Sequence, residues 1–462
     1  MLTYPLEGID CPIYEYLYKS IRDDIISGKL SPSEKLPSKR SLARNNGVST
    51  ITIQNAYDQL IAEGYVTAIE KKGYFVAERP SGKRIVKEAR AIPMLEEEGE
   101  EYRIDLSNNS TDPECFPFSI WSRLTREILS TSKDRLMKPS PSCGVHELRN
   151  AISCYLSSFR AMAVAPEQIV IGAGTEYLYS LLIQLLGRDK HYAIENPGYS
   201  KLASIYRMNN ARFSYVGIDD EGLSAESLEE SGAEIAHISP NHHFPTGITM
   251  PLRRRYEILA WASRESGRYI IEDDYDSEFR IARTPIPTLE SIDGEGKVIY
   301  MNTFSKSLSS TIRISYMVLP PELALRFGKM LSFYSCTVPN FEQYTLARFI
   351  SEGYFEKHIN RMRLYYIRQR RMMLDRISQS PIRDHASVIE NDSGLHFMLR
   401  LDTGMEDSAI TEALKGKGIH ISALSEYTAA QPGRKGCFII NYSNLRADDL
   451  SEALEELAGI IQ

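Results

Sequence analysis

The chain has 462 residues, 42% of them hydrophobic and 25% charged, an ordinary balance for a globular protein of about two to four domains. Its net charge of −7 excludes a polycation that binds nucleic acid everywhere, but it leaves room for a local DNA-binding face. We find no signal peptide and no apolar run long enough to span a bilayer, and therefore expect a cytoplasmic protein with no membrane partner and six reduced cysteines.

Three regions follow one another along the chain. Residues 11–78, here called the head, combine helical periods with a short strand pair. Residues 79–104 have no sustained apolar period and carry a basic half and then an acidic half, which indicates a linker. In residues 105–462, here called the body, apolar strands alternate with amphipathic helices, which predicts an α/β fold with a largely parallel sheet.

The head has the pattern of a helix-turn-helix. Apolar residues at helical spacing predict a first helix over 13–25, which Gly28 ends. Ser38 can cap a second helix, Asn46-Gly47 supplies a tight turn, and Ser49 can cap a third helix. Helix, turn and helix at this spacing are typical of a motif that places its second helix in the DNA major groove.

Two short strands around residues 71–73 form a candidate wing. The residues predicted to face base edges are Ser49, Thr50, Thr52 and Gln54. Those predicted to hold phosphates are Arg40, Arg44, Lys71 and Lys72. Residues 1–80 contain ten basic and ten acidic side chains, so affinity must come from their arrangement and from a second copy. A small helical domain that binds another protein is the alternative interpretation.

Two segments of the body point to a bound anion and a flat ring. A strand over 169–171 leads into Gly172-Ala173-Gly174-Thr175 and a long helix, where backbone amides and the helix N-terminus favour an anion. Many α/β proteins have such a loop without a phosphate. "YAIENPGYSKL" places Tyr199 after a strand and a Pro-Gly turn, where it could stack on a heterocycle or simply belong to a surface turn.

Two further loops carry polar side chains that allow more than one chemistry. "HISPNHHFPTGITMP" holds Asn241 and a histidine pair, but no third ligand stands at metal-site spacing, and we predict no metal. "RYIIEDDYDSEFR" ends an apolar strand in several acids, including Asp273, and Tyr275. Open α/β sheets bind ligands at such strand ends, and a metal cluster is the main competing interpretation.

The last segment places a lysine among hydroxyl side chains. In "VIYMNTFSKSLSSTIRISYMVLP" a strand over 298–301 leads to Thr303, Ser305 and Lys306, and Arg313 follows seven residues after the lysine. A buried lysine amine is easily deprotonated and forms Schiff bases. Hydroxyl groups and an arginine at that distance suit a phosphate ester.

The order of these motifs resembles known families in both halves. "PIY…ISGKL…EKLPSKRSLARNNGVST…AYDQLIAEGYV…KKGYFV" is similar to the GntR-type winged helix over nearly the whole head. The body resembles fold-type I, class I aminotransferases. The forms "SPNHHFPTG", "EDDYDSEF" and "TFSKSL" resemble those of the MocR-type regulators, a subfamily with a GntR head. The fold expected from this resemblance is a winged helix-turn-helix followed by an aminotransferase-like body that binds pyridoxal phosphate.

The resemblance implies a role for each matched residue. Lys306 would form an internal aldimine with pyridoxal phosphate, Asp273 would pair with the pyridine nitrogen, and Tyr275 would bond the phenolic oxygen. Tyr199 would wall the ring, and Asn241 would be a further contact. The phosphate would be held by Gly174, Thr175, Thr303, Ser305 and Arg313.

The sequence also departs from these families. Thr50 and the Lys71-Lys72 pair stand where GntR heads often have an arginine and a glycine, and "MKPSPSCG" lacks the tyrosine that class I enzymes offer to the neighbouring subunit. Lys201 stands where some relatives have an arginine that holds a carboxylate. The carboxylate-binding arginine of the enzymes is not assignable among Arg400, Arg434 and Arg446.

The resemblance favours a homodimeric transcription regulator that binds an operator in double-stranded DNA and senses pyridoxal phosphate, another B6 vitamer, an amine or an amino acid. The presence of the head favours the regulator, because a metabolic aminotransferase does not need a DNA-binding domain. An active aminotransferase with an accessory DNA-binding domain is the alternative, since Lys306 and Asp273 are both present.

Overall fold

The computed structural model describes residues 2–6, 8–78, 102–280, 286–389, 394–429 and 435–461. The chain divides into two compact units, Met1–Gly99 and Glu100–Gln462, of which the first contains the head and the second the body. The predicted linker lies outside the described residues as far as residue 101, and its last residue, Ile104, begins a strand of the body. Within the described ranges no helix is long and apolar enough to cross a membrane.

The head is the predicted winged helix-turn-helix. Its helices are α1 (Ile13–Ile26), α2 (Lys39–Asn46) and α3 (Thr50–Ala62), and its wing is the antiparallel pair β1 (Val66–Ile69) and β2 (Gly73–Val76). Both predicted caps are confirmed, because the Ser38 hydroxyl accepts from Ser41 N and the Ser49 hydroxyl accepts from Thr52 N. Gly47 ends α2 with a φ of +65°, where a side chain would be strained.

One apolar cluster holds the head together. Leu17 and Ile21 of α1 pack with Leu42 of α2 and with Ile53 and Leu60 of α3, and all five side chains are fully buried. Truncating one such residue to alanine typically costs about 2–5 kcal/mol of folding free energy. The hydroxyl-rich and basic side chains are left for the outer surface of the head.

The second unit, as described from residue 102 onward, contains two sheets and a parallel strand pair. Its strands are β3 (Ile104–Asp105), β4 (Ile169–Gly172), β5 (His191–Asn196), β6 (Arg212–Asp219), β7 (Gly222–Leu223), β8 (Ile235–Ile238), β9 (Tyr269–Asp273), β10 (Val298–Thr303), β11 (Ser315–Val318), β12 (Ala386–Ile389), β13 (His396–Leu401), β14 (Ile419–His420), β15 (Ser422–Ala423) and β16 (Cys437–Asn441). Its helices are α4 (Phe118–Thr131), α5 (Lys133–Leu136), α6 (His146–Arg160), α7 (Thr175–Leu186), α8 (Ser200–Met208), α9 (Ala225–Ser231), α10 (Leu252–Ser263), α11 (Phe304–Ser307), α12 (Pro321–Met330), α13 (Asn340–Ser351), α14 (Tyr354–Ser378), α15 (Asp407–Lys415) and α16 (Ala447–Ile461).

The large sheet has eight strands in the order β4-β11-β10-β9-β8-β5-β6-β7. The strands β10, β9, β8, β5 and β6 are parallel, whereas β11 runs antiparallel to both of its neighbours. β4 therefore points the same way as the parallel strands. Their carboxyl ends meet at one edge of the sheet, which is where open α/β sheets bind ligands.

The second sheet, in the order β12-β13-β16-β15, is antiparallel and lies in the C-terminal part of the body. Strand β3 pairs in parallel with β14, so the start of the body is joined to its C-terminal part. Strands β8 and β10, in the middle of the large sheet, are buried at every position, as near-continuous apolar runs predict, whereas β6 near its edge is largely exposed.

Candidate functional site

The predicted DNA-facing residues lie at the surface of the head. Seven of the eight are exposed, and Thr52 is half-buried. The hydroxyls of Ser49 and Thr52 lie 2.8 Å apart at the start of α3, so both take part in capping that helix. Lys71 adopts a φ of +61° at the tip of the wing, where the Lys72 amide donates to the Ile69 carbonyl and closes the turn.

In the body, the carboxyl edge of the large sheet borders a cavity of about 370 Å3. Eight of the ten residues predicted to hold the cofactor line it, namely Thr175, Tyr199, Asp273, Tyr275, Thr303, Ser305, Lys306 and Arg313. They follow four different strands and are separated by up to 138 positions in the sequence. The fold therefore brings residues of four separate motifs into one site.

Lys306 lies on α11, the short helix that directly follows β10. Its Nζ donates to the carbonyl of Asn109 at 2.6 Å. Burial lowers the pKa of the Lys306 amine to about 8, although the charge of Asp276 acts in the opposite direction. A lysine with this pKa is partly uncharged at neutral pH and can act as a nucleophile.

Asp273 ends β9, and its carboxylate is held from one side only. The Tyr179 hydroxyl donates to Asp273 Oδ2, and His237 Nε2 lies 3.9 Å from the same oxygen. The other oxygen, Oδ1, is buried and has no hydrogen-bond partner among the described residues. A buried carboxylate oxygen without a donor is costly, so this atom points to a ligand that carries an N–H group.

Tyr275 belongs to a small buried network on the same edge. Its hydroxyl lies 3.1 Å from His242 Nδ1, and that nitrogen lies 2.9 Å from Asp276 Oδ2. Because a carboxylate only accepts, His242 Nδ1 carries the proton and donates it to Asp276. The Tyr275 proton is then free to serve an acceptor in the cavity. Burial raises the pKa of Tyr275 well above its ordinary value, which keeps that proton in place.

The sequence indicated no third metal ligand for the pair His242-His243, and among the described residues the structure groups only His242 of that pair with other possible ligands. His242, Asp276 and His396 are all buried, and their ligand atoms lie within 4.8 Å of one another. Their described contacts are hydrogen bonds: His242 bonds Asp276, and His396 Nε2 bonds the Pro245 carbonyl at 3.0 Å. The backbone of Gly394 lies against the His242 imidazole so closely that a Cβ there would overlap the ring.

Asn241 does not line the cavity. It is buried on the other side of the loop, where its amide donates to Glu272 at 3.2 Å and accepts from Arg255 at 2.8 Å. Phe244, three residues later, lines the cavity instead, and its ring meets that of Tyr199 edge to face at 6.3 Å. The motif located the correct loop, but the structure assigns the inward position to a different side chain.

The start of α7 and Arg313 also line the cavity. Gly174 caps α7 with a φ of +92°, and a Cβ at this position would lie 2.5 Å from Arg313 Nη2. Arg313 pairs with Glu176 at 3.1 Å. Ser305 Oγ donates to the Ile312 carbonyl, and the Thr303 hydroxyl caps α11 by accepting from Ser305 N.

The acidic side chains at the end of β9 and just after it do not form one cluster, although Asp276 belongs to the group with His242 and His396. Asp273 accepts a hydrogen bond from the Tyr179 hydroxyl, and Asp276 accepts one from His242. Glu272 accepts from Leu289 N and Glu290 N, while Asp274 accepts from Tyr300 at 2.6 Å. Each carboxylate therefore has its own separate set of partners.

Among the described residues, three cationic side chains line the cavity: Lys201, Lys306 and Arg313. Lys201 lies 3.2 Å from Glu176, the same carboxylate that pairs with Arg313. Of the arginines considered for carboxylate binding, Arg400 and Arg446 do not line the cavity, and Arg434 lies outside the described residues.

Several cavity residues were not predicted from the sequence. Tyr179 lies one helical turn after Thr175 on α7, but this spacing is equally typical of a core tyrosine and therefore gave no distinct signal. His237 lies on β8, which pairs with β9, next to the strand that carries Asp273. Asn109 and Tyr427 come from segments at the two ends of the body that show no motif, and only the tertiary fold brings them to the cavity.

Comparison with known proteins gives the same division of the chain. Residues 13–76 match the family of bacterial regulatory proteins, gntR family, and residues 104–457 match aminotransferase class I and II. The chain is 34% identical to the uncharacterized HTH-type transcriptional regulator YdeL of Bacillus subtilis over 97% of this chain and 96% of that protein. It is 30% identical to the probable rhizopine catabolism regulatory protein MocR of Rhizobium meliloti over 97% and 93% of the two chains.

Among solved structures, the body is similar to the kynurenine aminotransferase of Pyrococcus horikoshii. The TM-score is 0.68 and the identity 25%, with 79% of this chain and 91% of the other covered. The fold is thus that of the aminotransferases, and the full-length relatives share its union with a regulatory head. The chain therefore belongs to the MocR-type regulators of the GntR family, in which an aminotransferase class I and II domain follows a helix-turn-helix head.

Proposed function

We propose that the protein is a transcription regulator that binds an operator through its head and pyridoxal phosphate through its body. The observation that carries this proposal is the union, in one chain, of a helix-turn-helix with an exposed third helix and a cavity that gathers Lys306, Asp273 and Arg313. The relatives matched along nearly the full chain are named as regulators, which supports the same function.

The cavity residues fit pyridoxal phosphate. Asp273 Oδ1 needs an N–H donor, and the protonated pyridine nitrogen supplies one. Tyr275 has a proton available for the phenolic oxygen, and Tyr199 offers an aromatic wall for the ring. When bound, the cofactor supplies an aldehyde that couples to primary amines and a ring that withdraws electrons. Lys306 is the amine this chain offers.

The phosphate would lie between the start of α7 and Arg313. The helix N-terminus presents backbone amides, and the absence of a side chain at Gly174 leaves room beside the guanidinium. Arg313 and Glu176 are both about half exposed, so their ion pair contributes at most about 1 kcal/mol. A phosphate can therefore replace Glu176 on Arg313 at small cost, with Thr175 and Ser305 as further hydroxyl contacts.

An effector that carries an amine would compete with Lys306 for the aldehyde of the cofactor. A carboxylate on the same effector would pair with Lys201. Lysine holds a carboxylate as a point charge and without the fork geometry of arginine, so it tolerates several orientations. An effector that binds two arrangements of the protein unequally shifts the balance between them and so changes DNA affinity.

In the head, Thr50 and Gln54 would face base edges, while Arg40, Arg44, Lys71 and Lys72 would hold phosphates. Ser49 and Thr52 would keep the start of α3 in its capped form. Because basic and acidic charges cancel in residues 1–80, we propose that a homodimer supplies a second head for a repeated operator.

A mobility-shift titration of the full-length protein on duplexes from its own upstream region tests the DNA-binding function. We expect a specific shift that competitor DNA of unrelated sequence does not abolish, and whose midpoint changes when pyridoxal phosphate and amines are added. The lack of any specific shift, with and without these ligands, would refute the regulator.

Transamination is the second candidate function, and the observation that favours it is the pairing of a nucleophilic Lys306 with a half-satisfied Asp273 in one cavity. Multiple turnovers with an amino donor and a keto-acid acceptor would establish it. A reaction that stops after one equivalent of product would support ligand sensing instead.

A further inference from the structure

The outward face of α3 has a chemistry of its own. Ile53, Ala56, Tyr57 and Leu60 are buried, which turns Ile51, Gln54, Asn55 and Asp58 outward. Ile51 is 69% exposed, more than any other large apolar residue described in the head. A single exposed isoleucine needs no explanation in general. This one, however, lies in the first turn of the predicted recognition helix, where side chains approach base edges.

The same face contains no group that reads guanine well. Between Ser49 and Ala62 the sequence has no lysine or arginine, the residues that bind guanine O6 and N7. It offers instead an apolar side chain, which suits the 5-methyl group of thymine, and amides, which suit adenine N6 and N7. Ile51 and Asn55 are four residues apart and lie about 6 Å from each other along the helix axis, close to two base-pair steps.

We propose that α3 reads an A·T-containing half-site, in which Ile51 packs against a thymine methyl group and the Asn55 amide binds an adenine. This inference rests on the proposed DNA-binding function and adds the chemistry of the base pairs to it. Arg40 and Arg44 lie on α2, from which we assign them to phosphates, so they would supply affinity. Ile51 and Asn55 would add to the base selectivity of Thr50 and Gln54.

The test starts from a random duplex library, from which full-length protein selects its preferred sequence. Each thymine of the selected site is then replaced by uracil, which removes only the methyl group, and each adenine by 7-deaza-adenine, which removes only the N7 acceptor. Binding is measured by fluorescence anisotropy at one fixed salt concentration, because phosphate contacts make all affinities salt-dependent.

We expect uracil at one thymine per half-site to weaken binding about fourfold, the value of one buried methyl group. In Ile51→Ala that replacement should have no further effect. Likewise, 7-deaza-adenine should weaken binding of the wild type about fivefold or more, and should not weaken binding of Asn55→Ala. Ile26→Ala removes an exposed isoleucine from α1 instead and should keep both sensitivities.

The outcomes distinguish a failure of the proposed base-pair selectivity from a failure of the proposed DNA-binding function. A selected half-site of G·C pairs alone, or a uracil effect that is undiminished in Ile51→Ala, would overturn this inference and leave DNA binding in place. Failure to enrich any sequence would overturn the proposed DNA-binding function and this inference with it.

Discussion

The Tyr179 hydroxyl donates to one oxygen of Asp273 and leaves the other oxygen, Oδ1, buried without a hydrogen-bond partner among the described residues. The tyrosine therefore fixes the carboxylate from the side of α7, and Asp273 is one of the residues that line the cavity. We propose that a ligand N–H group supplies the missing donor for this carboxylate.

Removing the two partners of this contact should have different effects. Asp273→Asn loses the ionic acceptor for the ring nitrogen and should weaken binding of pyridoxal phosphate about tenfold or more. Tyr179→Phe leaves the acceptor but removes its buried donor, and should lower the free energy of unfolding by roughly 1–3 kcal/mol. Tyr177→Phe, on the same helix, is the control. Equal cofactor affinity in Asp273→Asn and wild type, measured by absorbance titration, would contradict the assigned contact.

The attachment of an aldehyde to Lys306 should depend on pH with a midpoint near 8. The amine reacts only when uncharged, and burial lowers its pKa from an ordinary 10.5 to about 8. Incorporation of pyridoxal phosphate, trapped by borohydride at early times, should therefore rise between pH 6 and 9 and level off above that. Lys306→Ala should show no incorporation at this site. A midpoint near 10 would mean that the amine is not held in a buried environment.

Gly174→Ala should weaken the binding of pyridoxal phosphate much more than the binding of pyridoxal, which lacks the phosphate. The added Cβ would lie 2.5 Å from Arg313 Nη2 and would displace the guanidinium. We expect at least about tenfold weaker binding of pyridoxal phosphate, the loss of one charged hydrogen bond, with little change for pyridoxal. Gly187→Ala, at the other end of α7 with a φ of +124°, controls for backbone strain. Equal losses for both ligands would place the phosphate elsewhere.

Glu195 should make the body less stable as the solution becomes alkaline. Burial raises the pKa of this carboxyl from an ordinary 4.5 to about 8, although the Ser239 amide donates to it. The folded state thus holds a proton that the unfolded chain releases, so its stabilising effect is complete below pH 4.5 and is lost as pH rises through about 8.

The glutamine in Glu195→Gln is neutral at every pH, so the variant should not lose this stability at alkaline pH. The Tm of the variant minus that of the wild type should increase from pH 5 to pH 9, by at least about 2 °C. Thermal unfolding followed by circular dichroism measures it in both proteins under matched buffers. A difference that is constant over this range would show that Glu195 ionises without penalty in the folded protein.

What the sequence could predict was local. The caps Ser38 and Ser49 were predicted correctly because a cap depends only on the residue itself and the next three. The strands before the site residues were predicted because apolar runs stop near polar side chains, although β4 extends one residue and β10 two residues past the predicted ends. Asn241 shows the limit: the loop was identified, yet whether a side chain points to the cavity or to Arg255 depends on packing from other strands.

The partners of Lys306 and Asp273 show the same limit. The Asn109 carbonyl that accepts from Lys306 is 197 positions away in the sequence. Tyr179 has a pattern no different from that of a core tyrosine on an apolar helix. Such contacts arise from the crossing of segments in the tertiary fold, and no local period or motif specifies them.

Ligand binding at Lys306 should control DNA binding by the head. The most direct measurement is the affinity of the full-length protein for its selected duplex, with and without saturating pyridoxal phosphate and amine, in wild type and in Lys306→Ala. We predict at least about a fivefold change on adding ligand in the wild type, the lower end of typical allosteric coupling, and none in Lys306→Ala. An affinity that is the same with and without ligand in the wild type would contradict the account.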